Sequence, residues 1–167
     1  MTQNKLDISR ATEAVKATRF VEALSLLESN LEKDPNHIDS LYLAAVCLRY
    51  LKNYDDSKKY IESLLSQAPD MGRAYQELGH LNRDIGNQEN AIAHYRQACE
   101  LNPALLSSWK ALYDYFRRNK NKPAADHAFM QMNTLHSIPS ILLYISQILN
   151  EGKLGIAEEK CREFLKK

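Results

Sequence analysis

The sequence predicts an all-α protein: a right-handed α-α superhelix, or solenoid, of about five stacked helical hairpins. Three observations carry this. Pro35, Pro69 and Pro103 stand 34 residues apart, twice running, and a period of that length marks a chain built from copies of one supersecondary unit. Within a unit, apolar and small residues recur at three- and four-residue steps, as Tyr75, Leu78, Gly79 and Asn82 do, and then again as Ala91, Tyr95, Ala98 and Cys99 do. That is one face of an α-helix, twice over. Between the two runs lies Gly86-Asn87: glycine takes the left-handed conformation that closes a helix, and asparagine caps the next one.

Numbering each unit so that its proline is residue 32 places the units at about 4–37, 38–71, 72–105, 106–137 and 138–167 of one domain, 1–167. The first unit has Asp7 and Arg10 where bulky apolar residues belong, although Ala11, Ala23, Leu27 and Pro35 are in phase. It reads as the polar cap that such arrays require. In the second, Leu41, Ala44 and Ala45 begin the first helix, and Asn53 caps the second, which carries Ser57, Ile61 and Leu64. The third is the most regular, and Gly79 opposite Ala91 leaves room for its two helices to approach closely. The fourth puts Tyr113 at that small position, so its hairpin should be splayed or repacked. It also has Ser137 in place of the proline, with Pro139 two residues on, which makes this junction the expected place for a changed superhelical angle. The fifth has Ile141, Tyr144, Ile145, Ala157 and Cys161 in a register slipped by two residues, with Gly152 closing its first helix and a last helix from about Gly155. Bulky Leu27, Tyr95 and Phe129 are expected to fill the gap to the next helix, and a side chain so buried contributes roughly 1.5–3 kcal/mol. Prolines follow helix ends because proline cannot continue the hydrogen-bond ladder.

The pattern resembles the tetratricopeptide repeat. A bulky residue, Leu, a small residue, an aromatic, Ala and Pro recur in step, best in GRAYQELGHLNRDIGNQENAIAHYRQACELNP. The likeness runs from about Asn4 to Lys167. It implies that the first helix of each hairpin lines the concave side of the superhelix, and it says little about the ligand, since such platforms serve many partners.

Composition is ordinary for a globular chain, 44% hydrophobic and 26% charged over 167 residues, with net charge +1, so no global field recruits nucleic acid or acidic membrane. MTQNKLDISR contains no secretory apolar region, and the longest apolar run, Leu41 to Leu48, is far short of the roughly 20 residues of a membrane span. Cys47, Cys99 and Cys161 are scattered beside core positions without a CxxC pair, which reads as buried thiols and a cytoplasmic protein. No phosphate loop, zinc motif or nucleophile elbow occurs, and His37, His80, His94, His127 and His136 have no metal-ligand spacing. The acid pairs Asp55-Asp56 and Glu158-Glu159 are expected in first turns of helices, where they oppose the macrodipole. No enzymatic activity and no cofactor are expected of this chain.

Binding is the better expectation. The resemblance assigns positions 2, 5, 9, 12 and 13 of each first helix to the groove. Here they are Asp39, Tyr42, Val46, Arg49 and Tyr50; Arg73, Gln76, His80, Arg83 and Asp84; and Ser107, Lys110, Asp114, Arg117 and Arg118. With Lys and Arg outnumbering acids and two tyrosines beside them, such a groove suits an extended or helical peptide bearing acidic groups. The carboxylate clamp of chaperone-binding members is not matched: Tyr42, Val46, Glu77, Ser107 and Ala111 occupy its positions. Lys110 to Lys122 holds five basic residues against one acid, but Tyr113 and Phe116 fall on the core face, so no stacking platform for nucleic acid is expected. The expected function is therefore a non-catalytic interaction scaffold binding a peptide or protein segment.

One alternative comes from the tail. HSIPSILLYISQILNEGKLGIAEEKCREFLKK resembles the repeats ahead of the catalytic domain in bacterial tetratricopeptide-containing sulfotransferases, which implies that the natural protein continues past Lys167 into an enzyme.

Overall fold

The computed structural model describes residues 3–165, with side chains from Asp7 onward. The described residues form ten helices and no strand: α1 (Gln3–Lys16), α2 (Phe20–Lys33), α3 (Ile38–Tyr50), α4 (Tyr54–Gln67), α5 (Gly72–Asp84), α6 (Gln88–Leu101), α7 (Leu106–Arg118), α8 (Lys122–Ser137), α9 (Ser140–Asn150) and α10 (Leu154–Leu165). The fold class is thus the expected one, all-α helical hairpins. No helix among the described residues is long and apolar enough to cross a membrane.

Turn chemistry repeats as regularly as the prolines. Thr18, Lys52, Gly86, Lys120 and Gly152 all have positive φ, between 55° and 84°, and each ends the first helix of its hairpin. Only two of the five are glycine, so the left-handed closure is a property of the unit rather than of the residue type; the other three carry backbone strain. In three of the five hairpins the residue after it is an asparagine that caps the second helix: Asn53 Oδ1 accepts from the Asp56 amide at 3.4 Å, Asn87 from Asn90 at 3.3 Å, and Asn121 from Ala124 at 3.3 Å. Pro35, Pro69 and Pro103 stand just beyond the ends of α2, α4 and α6.

The chain divides into two compact units, residues 1–70 with 80–86, and 71–79 with 87–167. In the first, Ala11, Ala23, Leu27, Ala45, Ile61 and Leu64 are fully buried. Ser57 packs against α3 closely enough to donate to the Ala45 carbonyl at 2.8 Å, which is the close approach anticipated for small residues at these positions. Asn30 Nδ2 donates to Ser40 Oγ at 2.7 Å, joining α2 to α3 through a buried polar contact.

In the second unit, Ala91, Ile92, Tyr95, Cys99, Leu112, Phe116, Ala125 and Ala128 form one core. Tyr95 is 1% exposed and its ring lies against Gly79, where an added Cβ would sit 2.6 Å from two ring carbons. The fourth hairpin is repacked around Tyr113, whose ring meets Phe129 at 5.7 Å. Phe129 itself is 46% exposed, contrary to the expectation that it fills a core gap, because Tyr113 occupies the space a small residue would have left for it. The two-residue slip also has a structural form: α8 is 16 residues long against 14 for α4 and α6, and α9 shortens to 11 against 13 for α3, α5 and α7. The last helix starts at Leu154, so Glu158 and Glu159 lie beyond its first turn, contrary to expectation. Glu158 instead accepts from Arg162 Nη2 at 2.6 Å.

Candidate functional site

Of the fifteen side chains expected to face the groove, eight lie in the first unit and seven in the second. In the first, Tyr42 and His80 are half-buried, Val46 and Arg49 are buried, and Tyr50 and Arg83 are exposed. Four of these meet at the C-terminal ends of α3 and the last turn of α5. Arg49 Nη1 donates to Asp84 Oδ2 at 2.9 Å. Arg83 donates to the other carboxylate oxygen, Oδ1, through Nε at 3.1 Å and Nη2 at 2.9 Å. One carboxylate therefore serves two guanidiniums. Burial pushes the Asp84 carboxyl upward, but the hydrogen bonds and charges of Arg83 and Arg49 outweigh it and hold the pKa below its usual value.

The stack behind Arg49 sets its orientation. Its guanidinium carbon lies 4.4 Å from the centroid of the Tyr50 ring, a cation–π contact. Tyr50 in turn lies face to face with Phe20, centroids 4.4 Å apart and planes within 3°. His80 completes the floor. Burial first, and then the nearby charges of Arg49 and Arg83, lower its pKa to about 4, so at neutral pH the imidazole is uncharged. Together Arg49, Tyr50, Lys52, Tyr54, His80, Arg83 and Asp84 surround an open pocket of about 570 Å³.

In the second unit the expected residues are more dispersed. Arg73 Nη1 donates to Glu151 Oε1 at 2.9 Å, and Lys153 Nζ lies 3.0 Å from the other oxygen. The Glu151 side chain is only 6% exposed. Burial raises the pKa of its carboxyl, yet the charges and bonds of Arg73 and Lys153 prevail and lower it. Gln76 Nε2 donates to Ser108 Oγ at 2.9 Å. Lys110, Arg117 and Arg118 are exposed and Asp114 is half-buried. Arg117 lies over the Tyr113 ring at 5.7 Å, and Arg118 Nε donates to the Asp114 carbonyl at 3.1 Å.

Residue-type reasoning did not identify Phe20, Lys52, Tyr54 or Glu151 as parts of these clusters. Lys52 was findable, because it stands 34 residues before Gly86 and so occupies the repeating turn position. Glu151 had no such signal, being 78 residues from Arg73. Cys47 and Cys99 are buried thiols outside any disulfide, as expected, whereas Cys161 is half-buried. Burial, with Glu100 nearby, pushes the Cys99 thiol up to about 12, far from the thiolate range that reactivity needs.

Comparison with known proteins agrees with the helical-hairpin fold. Two tetratricopeptide-repeat family models match residues 14–79 and 72–105, together more than half the chain. The general transcriptional corepressor ssn6 of Schizosaccharomyces pombe is 29% identical over 115 residues, which is 66% of this chain and 10% of that protein. The chain thus spans about a tenth of the length of this curated relative. Among solved structures, residues 41 to the end of MamA from Desulfovibrio magneticus RS-1 superpose with a TM-score of 0.66 at 20% identity, covering 81% of this chain and 76% of that one. Naa15, in a structure of Naa15/Naa10 bound to HypK-THB, gives a TM-score of 0.69 at 17% identity, covering 99% of this chain and 25% of that one. The fold is that of all-α tetratricopeptide solenoids, and the chain belongs to the tetratricopeptide-repeat family.

Proposed function

We propose that the chain is a protein-interaction scaffold whose first helices grip a polypeptide segment bearing acidic groups. The observation that carries this is the pocket of the first unit, which Arg49, Lys52, Arg83 and Asp84 line beside two tyrosines. A positive, aromatic-walled pocket favours a partner with carboxylate or phosphate groups through charge-assisted bonds. In the second unit, Lys110, Arg117 and Arg118 present a further exposed basic surface on α7. The family's role as a platform supports the reading, as does the Naa15 complex, in which a similar fold is seen with protein partners. The second expectation, repeats leading a sulfotransferase domain, gains no support from the comparisons. Cysteines held as thiols fit a reducing compartment, and we place the protein in the cytoplasm.

The test is site-specific photo-cross-linking in the native cell. A benzophenone side chain at position 50 or 110 should cross-link one discrete protein, identified by mass spectrometry. The same group at position 59, on the second helix α4, should not. Arg83→Glu should abolish the cross-link from position 50. Equal yields from positions 50 and 59 would refute the reading.

A further inference from the structure

We propose that α7 and α9 of the second unit form a two-row receptor for an amphipathic helix of a partner protein, one with acidic residues along one flank and bulky apolar residues along the next. The inference rests on the scaffold reading above and names the kind of segment that this part of the groove takes.

The fifth hairpin carries the groove beyond the three units whose side chains were assigned to it. Its first helix, α9, has Leu142 and Leu149 at the fifth and twelfth positions of the unit, the places that Lys110 and Arg117 hold on α7. No charged residue occurs in α9. Both leucines are left open, 39% and 45% exposed, while Ile145 and Ile148 beside them are buried. On α7 the same row is basic. Lys110 and Arg117 are exposed and neither enters an ion pair among the described residues; Arg117 lies only over the Tyr113 ring. Asp114, half-buried, is the one acid at the groove positions of α7, against Lys110, Arg117 and Arg118. The Arg118 side chain donates to its backbone carbonyl and not to its carboxylate. Asp114 offsets one cation of the three. The partial negative charge of the α7 C-terminus is already met by the Asn119, Lys120 and Asn121 amides. The α7 row therefore stays positive and the α9 row apolar.

The two rows border one concave surface. Gln76 on α5 donates to Ser108 on α7 at 2.9 Å, and Arg73, a turn earlier on α5, donates to Glu151 just past α9 at 2.9 Å. α5 thus meets both α7 and the end of α9, which draws the first helices of three hairpins into an arc.

Spacing then selects the ligand. Residues seven apart on an α-helix lie about 10.5 Å apart along its axis, and Lys110 and Arg117 share that interval with Leu142 and Leu149. Side chains on one side of an extended strand recur at about 6.7 Å and then about 13 Å, in step with neither row. A helix with acids two turns apart and leucines two turns apart meets both rows at once. Its carboxylates form charge-assisted bonds with the ammonium and the guanidinium, and its leucines cover Leu142 and Leu149, removing apolar surface from water. A basic helix is repelled by α7, and a wholly apolar one leaves the cations of α7 unmatched.

The experiment titrates ¹⁵N-labelled full chain with an alanine-based helical peptide that bears two glutamates two turns apart on one flank and two leucines two turns apart on the next, followed by amide chemical shifts. Saturable shifts in residues 107–118 and 140–150 are expected. Lysines in place of the peptide's glutamates, serines in place of its leucines, or a proline at its centre should each weaken binding at least tenfold. Lys110→Glu with Arg117→Glu, its spectrum showing an intact fold, should weaken the glutamate peptide at least tenfold and strengthen the lysine peptide. Lys122→Glu on α8 should do neither. Leu142→Ser with Leu149→Ser should erase the preference for the leucine peptide over the serine peptide. Absence of saturable shifts, a lysine, serine or proline peptide of equal affinity, or unchanged binding by either double variant overturns the proposal. Concentration-dependent shifts of the same residues in the chain alone would make a second copy the occupant and overturn it as well. If the peptide fails while position 110 still cross-links its partner, the amphipathic-helix inference alone falls. Equal cross-linking from positions 50 and 59 would remove the scaffold reading itself.

Discussion

Gly79→Ala probes a close helix approach in the second unit. A Cβ there would lie 2.6 Å from Tyr95 Cδ1 and Cε1 and 3.0 Å from Cγ, whereas carbon atoms rest comfortably at about 3.5–4.0 Å. The ring would have to retreat by about 1 Å. Tyr95 is 1% exposed and is packed in one core with Ile92, Cys99 and Leu112, so the displacement propagates into filled space. Overpacking of this kind costs about 1–3 kcal/mol. Alanine's better helix propensity returns about 1 kcal/mol, leaving a net loss of up to about 2 kcal/mol. For a chain of this size that is a fall in Tm of up to roughly 8 °C, read by thermal circular dichroism and urea unfolding. Gly155→Ala is the matched control: nothing lies within 4 Å of its added Cβ, so it should be neutral or raise Tm slightly. In a double-mutant cycle, Tyr95→Leu should relieve part of the Gly79→Ala penalty, since the clashing ring edge is gone. A Gly79→Ala protein as stable as Gly155→Ala, or no coupling to Tyr95, would refute the close approach.

Further expectations follow from the turns and the ionic clusters. At the repeating left-handed position, Lys120→Gly should stabilise by about 0.5–1 kcal/mol, and Gly86→Ala should destabilise by about 1 kcal/mol. Urea unfolding checks both, and since nothing lies within 4 Å of a Cβ at Gly86, backbone strain is the cause. The His80 imidazole should stay neutral down to about pH 4 by NMR titration. Because its pKa is depressed in the folded state, its contribution is present above about pH 6.5 and is lost as pH falls towards 4. Between pH 7 and 4.5 this costs about 2 kcal/mol, and His80→Gln should flatten that slope. The depressed Asp84 and Glu151 carboxyls act lower still, their stabilisation vanishing as pH falls below the ordinary carboxylate range. Glu151→Gln should remove roughly 1–3 kcal/mol, because Arg73 and Lys153 lose their shared charge. The figure is kept low because both cations are about a quarter exposed. An unchanged urea midpoint would show that the cluster contributes nothing.

Much of the fold was legible because it is written locally and repeatedly. Proline after helix ends, Asn53 and Asn87 as caps, and Gly86 and Gly152 as closures each act within a few residues of themselves. Thr18, Lys52 and Lys120 take the same backbone conformation as those glycines without a residue type that announces it, and only the 34-residue phase reveals them. Phe129 shows a different limit. Its phase places it in the core, yet Tyr113 on the facing helix decides its exposure. The candidate sites were legible as a set of side chains and not as a charge distribution. Arg49 and Asp84 are 35 residues apart, and Arg73 and Glu151 are 78 apart, so neither pairing is visible in any local pattern. These pairings turn a set of apparently available arginines into two clusters whose carboxylates are already shared.

Hydrogen–deuterium exchange of the chain with its cross-linked partner tests the central claim most directly. Slowed exchange in 42–50 and 80–84 of the first unit or 107–118 of the second, with α4 and α6 unchanged, is the predicted result. Protection concentrated on α4 and α6, with the first helices exchanging as in the free chain, would contradict it.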